Sequence, residues 1–143
     1  MHDLLRRLDR AAGLYTDLVA TLTPALLGAR LGDLPSSTIA GQLWCVVGAR
    51  ESYTRAAREG GWQGFTSSLD DAAARDPEAV ARVLDRSFAV VVTTLESDLD
   101  EAGQRWLGDL LEHETQHHGQ LIRYLYGLGI PRPASWRERY ALD

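Results

Sequence analysis

Two histidines, His113 and His117, stand four positions apart near the end of the chain. In an α-helix, side chains at this spacing project from one face about one turn apart, so the two imidazoles can share a metal ion. The spacing also fits a pair of core histidines whose nitrogens are satisfied by Glu114, by the amides of Gln116 and Gln120 or by water. The pattern leaves both interpretations open.

The helix that would carry this pair has an apolar stripe. It consists of Leu110, Leu121, Tyr124 and Leu128. His117 continues the stripe, and His113 lies about 40° away at roughly 100° per residue. Both imidazoles are therefore predicted to face the interior of a bundle or its mouth. His118 lies well off the stripe and is predicted to be exposed to solvent.

Four segments with apolar residues at every third or fourth position are predicted to be the helices of this fold. They cover residues 4–27, 36–59, 76–95 and 101–128, and each is bounded by glycine, proline or capping side chains. No segment shows the alternation of a strand. Four helices with few breaks predict a single all-α domain, a helical bundle spanning residues 1–143.

The segments outside these helices are predicted to close the bundle. Residues 60–75 sustain no helical period, and aromatic residues such as Trp62 and Phe65 predict a loop docked onto the helices. After the last helix, the tail with Trp136 and Tyr140 is predicted to be a short turn packed on the outside.

Composition and charge exclude several classes of function. The formal net charge of −5 provides no cationic field for a phosphate backbone, so nucleic acid is not an expected partner. The single cysteine, Cys45, cannot form an intramolecular disulfide and fits a reducing compartment. No export signal is visible at the N-terminus, and the most apolar stretch, residues 88–92, is far shorter than the roughly 20 residues that cross a bilayer. A cytoplasmic protein without a membrane partner is expected.

The segment around the histidine pair resembles a known family. Residues 110–121 read LLEHETQHHGQL, and Tyr124-Leu125 and Leu128-Gly129-Ile130-Pro131 follow. This run resembles the C-terminal signature of the DinB/YfiT-like superfamily, which is HxxxH, usually then Arg-Gly-Gln, with a closing Gly-x-Pro turn. The order and length of the segments match across nearly the whole chain. The resemblance implies an up-up-down-down four-helix bundle, here with a short C-terminal tail, and a metal ion held by three histidines.

His113 and His117 fall on the two histidines of the family's motif. The third family histidine lies on the second helix, where this chain has Cys45, and His118 replaces the usual arginine. A cysteine thiolate binds zinc, nickel or iron well, so Cys45 is predicted to be the third ligand. The alternative for Cys45 is a small buried hydrophobic residue.

The resemblance also implies a function. The family includes transferases and isomerases that use low-molecular-weight thiols, so the expectation is a metal-dependent enzyme acting on a small molecule. The cofactor would be a divalent metal ion, zinc or nickel first and iron as a further option. Glu114 is predicted as the catalytic residue, because it could orient an imidazole, act as a fourth ligand or serve as a base for bound water. Its alternative is a solvated surface glutamate.

Two other functions fit the same residues. One is a non-catalytic bundle, a binding or stress-associated module whose metal site is lost or structural. The other is a redox sensor in which oxidation of Cys45 releases the metal. Whichever function holds, a homodimer is expected, because bundles of the resembling family often associate through helix faces, and Trp44, Val90 and Trp106 are apolar candidates outside the main stripes.

Overall fold

The fold is all-helical, as predicted, in a computed structural model that describes residues 2–143. The elements are α1 (His2–Val19), α2 (Pro24–Leu27), α3 (Ile39–Glu59), a 3₁₀ turn (Ala73–Arg75), α4 (Pro77–Leu95), α5 (Glu101–Gly127) and α6 (Ala134–Tyr140). Within residues 2–143 there is no strand. None of the helices in this range is both long enough and apolar enough to cross a bilayer.

Helices α3 and α4 begin and end close to the residues that the sequence indicates. The Thr38 hydroxyl accepts a hydrogen bond from the Gly41 amide at the start of α3, and Asp76 caps α4 with Pro77 in its first turn. Helix α3 ends at Gly60, whose φ of 75° is a left-handed conformation that glycine adopts without steric cost. Local chemistry therefore sets these boundaries.

The first predicted helix, residues 4–27, is divided in two. Helix α1 ends at Val19, and a separate single turn, α2, begins at Pro24. Thr23 caps this turn by accepting a hydrogen bond from the Leu26 amide. Because proline has no amide hydrogen and clashes with the preceding turn, Pro24 can begin a helix but cannot continue α1. The prediction of one continuous helix was wrong at this point.

The core divides into two clusters that fix the directions of the four long helices. In the first cluster, the C-terminal halves of α1 and α5 meet the N-terminal halves of α3 and α4, through residues such as Leu18, Leu125, Leu43 and Val83. In the second cluster the opposite halves meet, through Leu8, Leu107, Ala57 and Leu95. Helices α1 and α5 therefore run in one direction, and α3 and α4 run in the other.

The four long helices thus run up, down, down and up, and the expected up-up-down-down order is wrong. Helix α3 packs against α4 and α5, and so does α1. Residues 60–76 join the parallel helices α3 and α4 by returning along the bundle, whereas residues 96–100 make the short turn between the antiparallel helices α4 and α5. A short connection links neighbouring helix ends, so α5 must reverse the direction of α4.

The C-terminal tail belongs to the core. Trp136 of α6 is fully buried, and its indole Nε1 donates a hydrogen bond to the carbonyl of Leu14 at 2.7 Å. The expectation of a turn packed on the outside was therefore wrong. A large aromatic ring gains most when it is fully covered and its one polar atom is paired, and the groove beside α1 provides both.

Candidate metal centre

The antiparallel helices α3 and α5 bring the three predicted ligands together. Cys45 lies near the middle of α3, and His113 and His117 lie one turn apart on α5. One donor atom from each residue lies within 4.8 Å of the other two. Cys45 and His113 are half-buried and His117 is buried, so the cluster lies in the groove between the helices and reaches the surface.

Contacts at both ends of the helix pair hold this register. At one end Gly103 of α5 lies so near α3 that an added Cβ would be 3.2 Å from the carbonyl oxygen of Ala57. At the other end the hydroxyl of Tyr124 donates a hydrogen bond to the carbonyl of Ser37. The cluster lies between these two contacts, which limit sliding of α5 along α3.

The spacing of Cys45 and His113 fits a shared ion. With a metal–sulfur bond of about 2.3 Å and a metal–nitrogen bond of about 2.0 Å, two tetrahedral ligand atoms lie roughly 3.5 Å apart. Here Cys45 Sγ and His113 Nε2 are 3.6 Å apart. The same distance fits a hydrogen bond between a thiol and an imidazole, so this pair alone does not separate the two states.

The hydrogen bond between His117 and Gln42 leaves the second ring nitrogen of His117 free to bind a metal ion. His117 Nδ1 lies 2.6 Å from the amide oxygen of Gln42. Because an amide oxygen only accepts, the proton of the neutral imidazole is on Nδ1, and Nε2 keeps its lone pair. Metal-binding histidines usually have such an acceptor behind the ring, where it fixes the tautomer and the orientation.

His113 and His118 differ in how many of their ring nitrogens have hydrogen-bond partners. His118 is fully buried, with Nε2 3.1 Å from the carbonyl oxygen of Ala11 and Nδ1 2.7 Å from the hydroxyl of Tyr140. By contrast, His113 Nδ1 is buried without a hydrogen-bond partner among residues 2–143. The expectation that His118 is exposed was wrong, because α6 covers that face of α5. Both ring nitrogens of His118 thus have hydrogen-bond partners in the core, whereas His113 Nδ1 has none among the described residues.

Burial leaves both imidazoles of the cluster neutral at pH 7. It lowers the pKa of His117 to about 4, assisted by the neighbouring His113. Burial likewise lowers the pKa of His113, although the charge of Glu114 opposes this. Burial raises the pKa of the Cys45 thiol, which is therefore protonated at pH 7 when no ion is bound. The imidazoles can donate lone pairs at once, whereas Cys45 must first lose a proton.

Glu114, the predicted catalytic residue, forms an ion pair with Arg50, whereas the sequence suggested contact with an imidazole, the metal ion or its bound water. Its two carboxylate oxygens accept hydrogen bonds from Arg50, from Nε at 2.6 Å and from Nη2 at 3.0 Å. Both side chains are 1% exposed. Arg50 also donates to the carbonyl of Leu84 on α4, at 3.0 Å. Glu114 follows His113 by one residue and so points about 100° away from it, toward this pair. Arg50, which the sequence prediction did not assign a role, occupies its carboxylate.

Aromatic side chains border the cluster. The ring centroids of Tyr53 and His113 are 6.1 Å apart, and Tyr53 also contacts Trp62 and Trp106. On α3, beside Cys45, Trp44 contacts Phe65 with centroids 5.3 Å apart. Two of these aromatic residues, Trp62 and Phe65, belong to the predicted docked loop, which indeed lies against α3. Trp44, Trp62 and Phe65 remain exposed at the surface.

Gln42 supports the first testable prediction. Replacing Gln42 with leucine removes the acceptor behind His117, so the affinity for zinc should fall roughly 10- to 100-fold while the fold is kept. Gln42→Glu, which retains an acceptor, should bind zinc at least as well as the wild type. A competition titration with a chelator of known affinity measures both variants.

Gln120→Leu is the matched control, because it makes the same change at an exposed position of α5. It should leave zinc affinity unchanged. If Gln42→Leu bound zinc as tightly as this control, the orienting role of Gln42 would be excluded.

Cys45, His113 and His117 converge with neutral imidazoles and an oriented His117. Comparison of the whole chain with protein-family models, with curated proteins and with solved structures finds no match.

Proposed function

We propose that this chain binds one divalent metal ion through Cys45, His113 and His117 and acts as a metal-dependent enzyme on a small molecule. The observation that carries the proposal is the convergence of these three donors from α3 and α5 within 4.8 Å. Zinc and nickel both accept a mixed set of thiolate and imidazole ligands, and iron is a further option. The proposal includes membership of the DinB/YfiT-like superfamily, which the sequence signature supports.

The ligand count favours a catalytic centre over a closed structural one. Structural zinc sites usually have four protein ligands, whereas catalytic sites have three and leave a position for water or substrate. Glu114, the carboxylate that the sequence suggested as a fourth ligand, is held by Arg50. Cys45 and His113 are only half-buried, so a small molecule can approach the cluster from the surface.

The substrate would be a low-molecular-weight thiol or a molecule that reacts with one. A bound divalent ion supplies positive charge that favours the deprotonated form of a coordinated thiol or water. Gln42 holds the Nδ1 proton of His117 and keeps Nε2 directed into the cluster. The aromatic side chains of Tyr53, Trp62 and Trp106 form an apolar border beside His113, which reduces access of water to that side.

A second candidate is a non-catalytic helical bundle, and one observation favours it. The 3.6 Å distance between Cys45 Sγ and His113 Nε2 is also that of a hydrogen bond between a thiol and an imidazole, which needs no metal ion. In that case the polar cluster would serve only to pair α3 with α5. A cytoplasmic location and homodimer formation are part of the proposal in either case, and light scattering tests the dimer.

The proposal is tested by loading the purified protein with cobalt(II) and then adding glutathione as a representative thiol. We expect one ion per chain, and we expect the thiolate-to-cobalt absorption of Cys45 to gain intensity when a second thiolate binds. S-methylglutathione, which has no thiol, should leave the spectrum unchanged. Binding of cobalt without any response to glutathione would favour a structural site, and the absence of stoichiometric binding would favour the non-catalytic bundle.

A further inference from the structure

A second cleft, separate from the metal centre, lies between α1, α5 and α6. Its volume is about 230 Å³. Helix α5 lines it with residues such as Glu112, Thr115 and His118, none of which is a predicted metal ligand. The cleft therefore opens on another face of α5 than the metal centre.

Three arginines line this cleft, although the chain as a whole carries a net charge of −5. Arg7 forms an ion pair with Asp3 at 2.7 Å. Arg10 on α1 and Arg139 on α6 form no ion pair with any residue of the described chain. Two arginines from different helices thus line one small space, and neither has a carboxylate partner in the described chain.

The floor of the cleft is polar, but its hydrogen bonds are already made. Because the carbonyl of Ala11 only accepts, His118 Nε2 carries the proton and donates it, so His118 Nδ1 accepts the hydrogen bond from the Tyr140 hydroxyl. Arg10, Arg139 and Tyr140 line the same cleft. Burial raises the pKa of Tyr140, although the charges of Arg139 and Arg10 oppose this rise. The floor thus adds no negative charge that could neutralise the two arginines.

We propose that this cleft binds a small oxyanion, the phosphate or carboxylate group of a metabolite. Guanidinium groups match both anions through paired, charge-assisted hydrogen bonds, and Arg10 and Arg139 approach from two sides of the cleft. The volume is below the range usual for drug-sized ligands and fits a compact anion. Glu112 is the one acid that lines the space, and it limits the number of anionic groups that can enter.

The arrangement also explains why α6 is anchored so firmly. Trp136 and Tyr140 fix α6 against Leu14 and His118, so Arg139 is held on the same side of the bundle as Arg10. Because α6 is already anchored, binding of an anion by Arg139 would not require the helix itself to become ordered. The buried tail therefore has a consequence for binding as well as for stability.

The test is a titration with inorganic phosphate at constant ionic strength, followed by the backbone amide resonances of α1 and α6. Acetate and chloride titrations run in parallel separate a phosphate site from a carboxylate site and from general salt effects. We expect saturable shifts with phosphate or acetate and none with chloride. In Arg10→Gln and Arg139→Gln the affinity should fall roughly tenfold or more, since each loses a charge-assisted contact.

Two controls keep the test decisive. Arg123→Gln removes the same charge from an exposed position of α5 outside the cleft and should leave the affinity unchanged. His117→Ala removes a predicted metal ligand and should also leave it unchanged, so loss of the metal centre is distinguished from loss of this cleft. Equal weakening by Arg123→Gln, or no saturable shift with either oxyanion, would overturn the proposal.

Discussion

Cys45→Ala is expected to weaken zinc binding roughly 100-fold or more, whereas Cys45→His is expected to retain it. Structural zinc sites with four ligands bind with about 10–16 kcal/mol, which corresponds to roughly 3 kcal/mol per ligand, or about two decades of affinity. Alanine removes a donor atom from the cluster of Cys45, His113 and His117. Histidine supplies a nitrogen donor in place of the thiol sulfur. Chelator competition with purified variants measures the difference.

If Cys45 is only a small packing residue, Cys45→Ala is expected to be the milder substitution and Cys45→His the more disruptive one. Alanine would then be the mild change, with a cost of about 1 kcal/mol in unfolding free energy for the lost volume. Histidine would place a polar ring in a half-buried position without a partner. Circular dichroism of each variant checks that the fold persists. Equal zinc affinity of the wild type and Cys45→Ala would exclude Cys45 as a ligand.

The pH dependence of zinc affinity follows from the pKa shifts in the cluster. Burial raises the pKa of Cys45 and lowers that of His117 to about 4, so at pH 7 only the thiol has a proton to lose. Zinc binding should release about one proton per ion, and affinity should fall about tenfold per pH unit on acidification. Near pH 4, protonation of His117 should steepen the fall. Calorimetry in buffers of different ionisation enthalpy counts the protons.

The variant Cys45→His should release close to no protons at neutral pH or above, because all three ligands would then be largely neutral imidazoles. This contrast isolates the contribution of the thiol. A wild-type protein that bound zinc without releasing a proton would contradict thiolate ligation.

Glu114→Ala is expected to destabilise the fold by about 3–5 kcal/mol in unfolding free energy, because it leaves the charge of Arg50 buried without a partner. Both side chains are 1% exposed, and the two hydrogen bonds between them join α3 to α5. Arg50 also reaches the carbonyl of Leu84 on α4 and lies 5.5 Å from the ring centroid of Tyr15 on α1. All four long helices therefore meet at this pair, and urea unfolding measures the loss.

The control is the double variant Arg50→Met with Glu114→Leu, which removes both charges and keeps similar volumes. Replacement of a complete buried ion pair by apolar residues is often neutral or stabilising, so this variant should be more stable than Glu114→Ala alone. If Glu114→Ala unfolded at the same urea concentration as the wild type, the pair would not stabilise the bundle. A base role for Glu114 would instead predict lost activity with unchanged stability.

Helix positions and two of the three candidate ligands could be predicted from patterns within the chain. Periodicity and capping residues such as Thr38 and Asp76 are local signals, and the structure places helix boundaries at both. The HxxxH spacing puts His113 and His117 on one face, because helical geometry alone determines it. Cys45 required the resemblance, since no local pattern connects α3 with a residue on α5.

The features that were predicted wrongly depend on contacts between distant segments. His118 is buried because α6 covers it, and the sequence around His118 contains no signal for that helix. The directions of the helices depend on how residues 60–76 return along the bundle. The sequence does contain one signal of the buried pair, because Arg50 and Glu114 both fall at apolar positions of their helices. Opposite charges at such positions indicate a buried ion pair.

X-ray absorption at the zinc edge of the zinc-loaded protein tests the account most directly. We predict one sulfur neighbour at about 2.3 Å, together with nitrogen or oxygen neighbours at about 2.0–2.1 Å. In Cys45→His the sulfur neighbour should disappear while the zinc remains bound. A first shell of nitrogen and oxygen alone in the wild-type protein would contradict a centre formed by Cys45, His113 and His117.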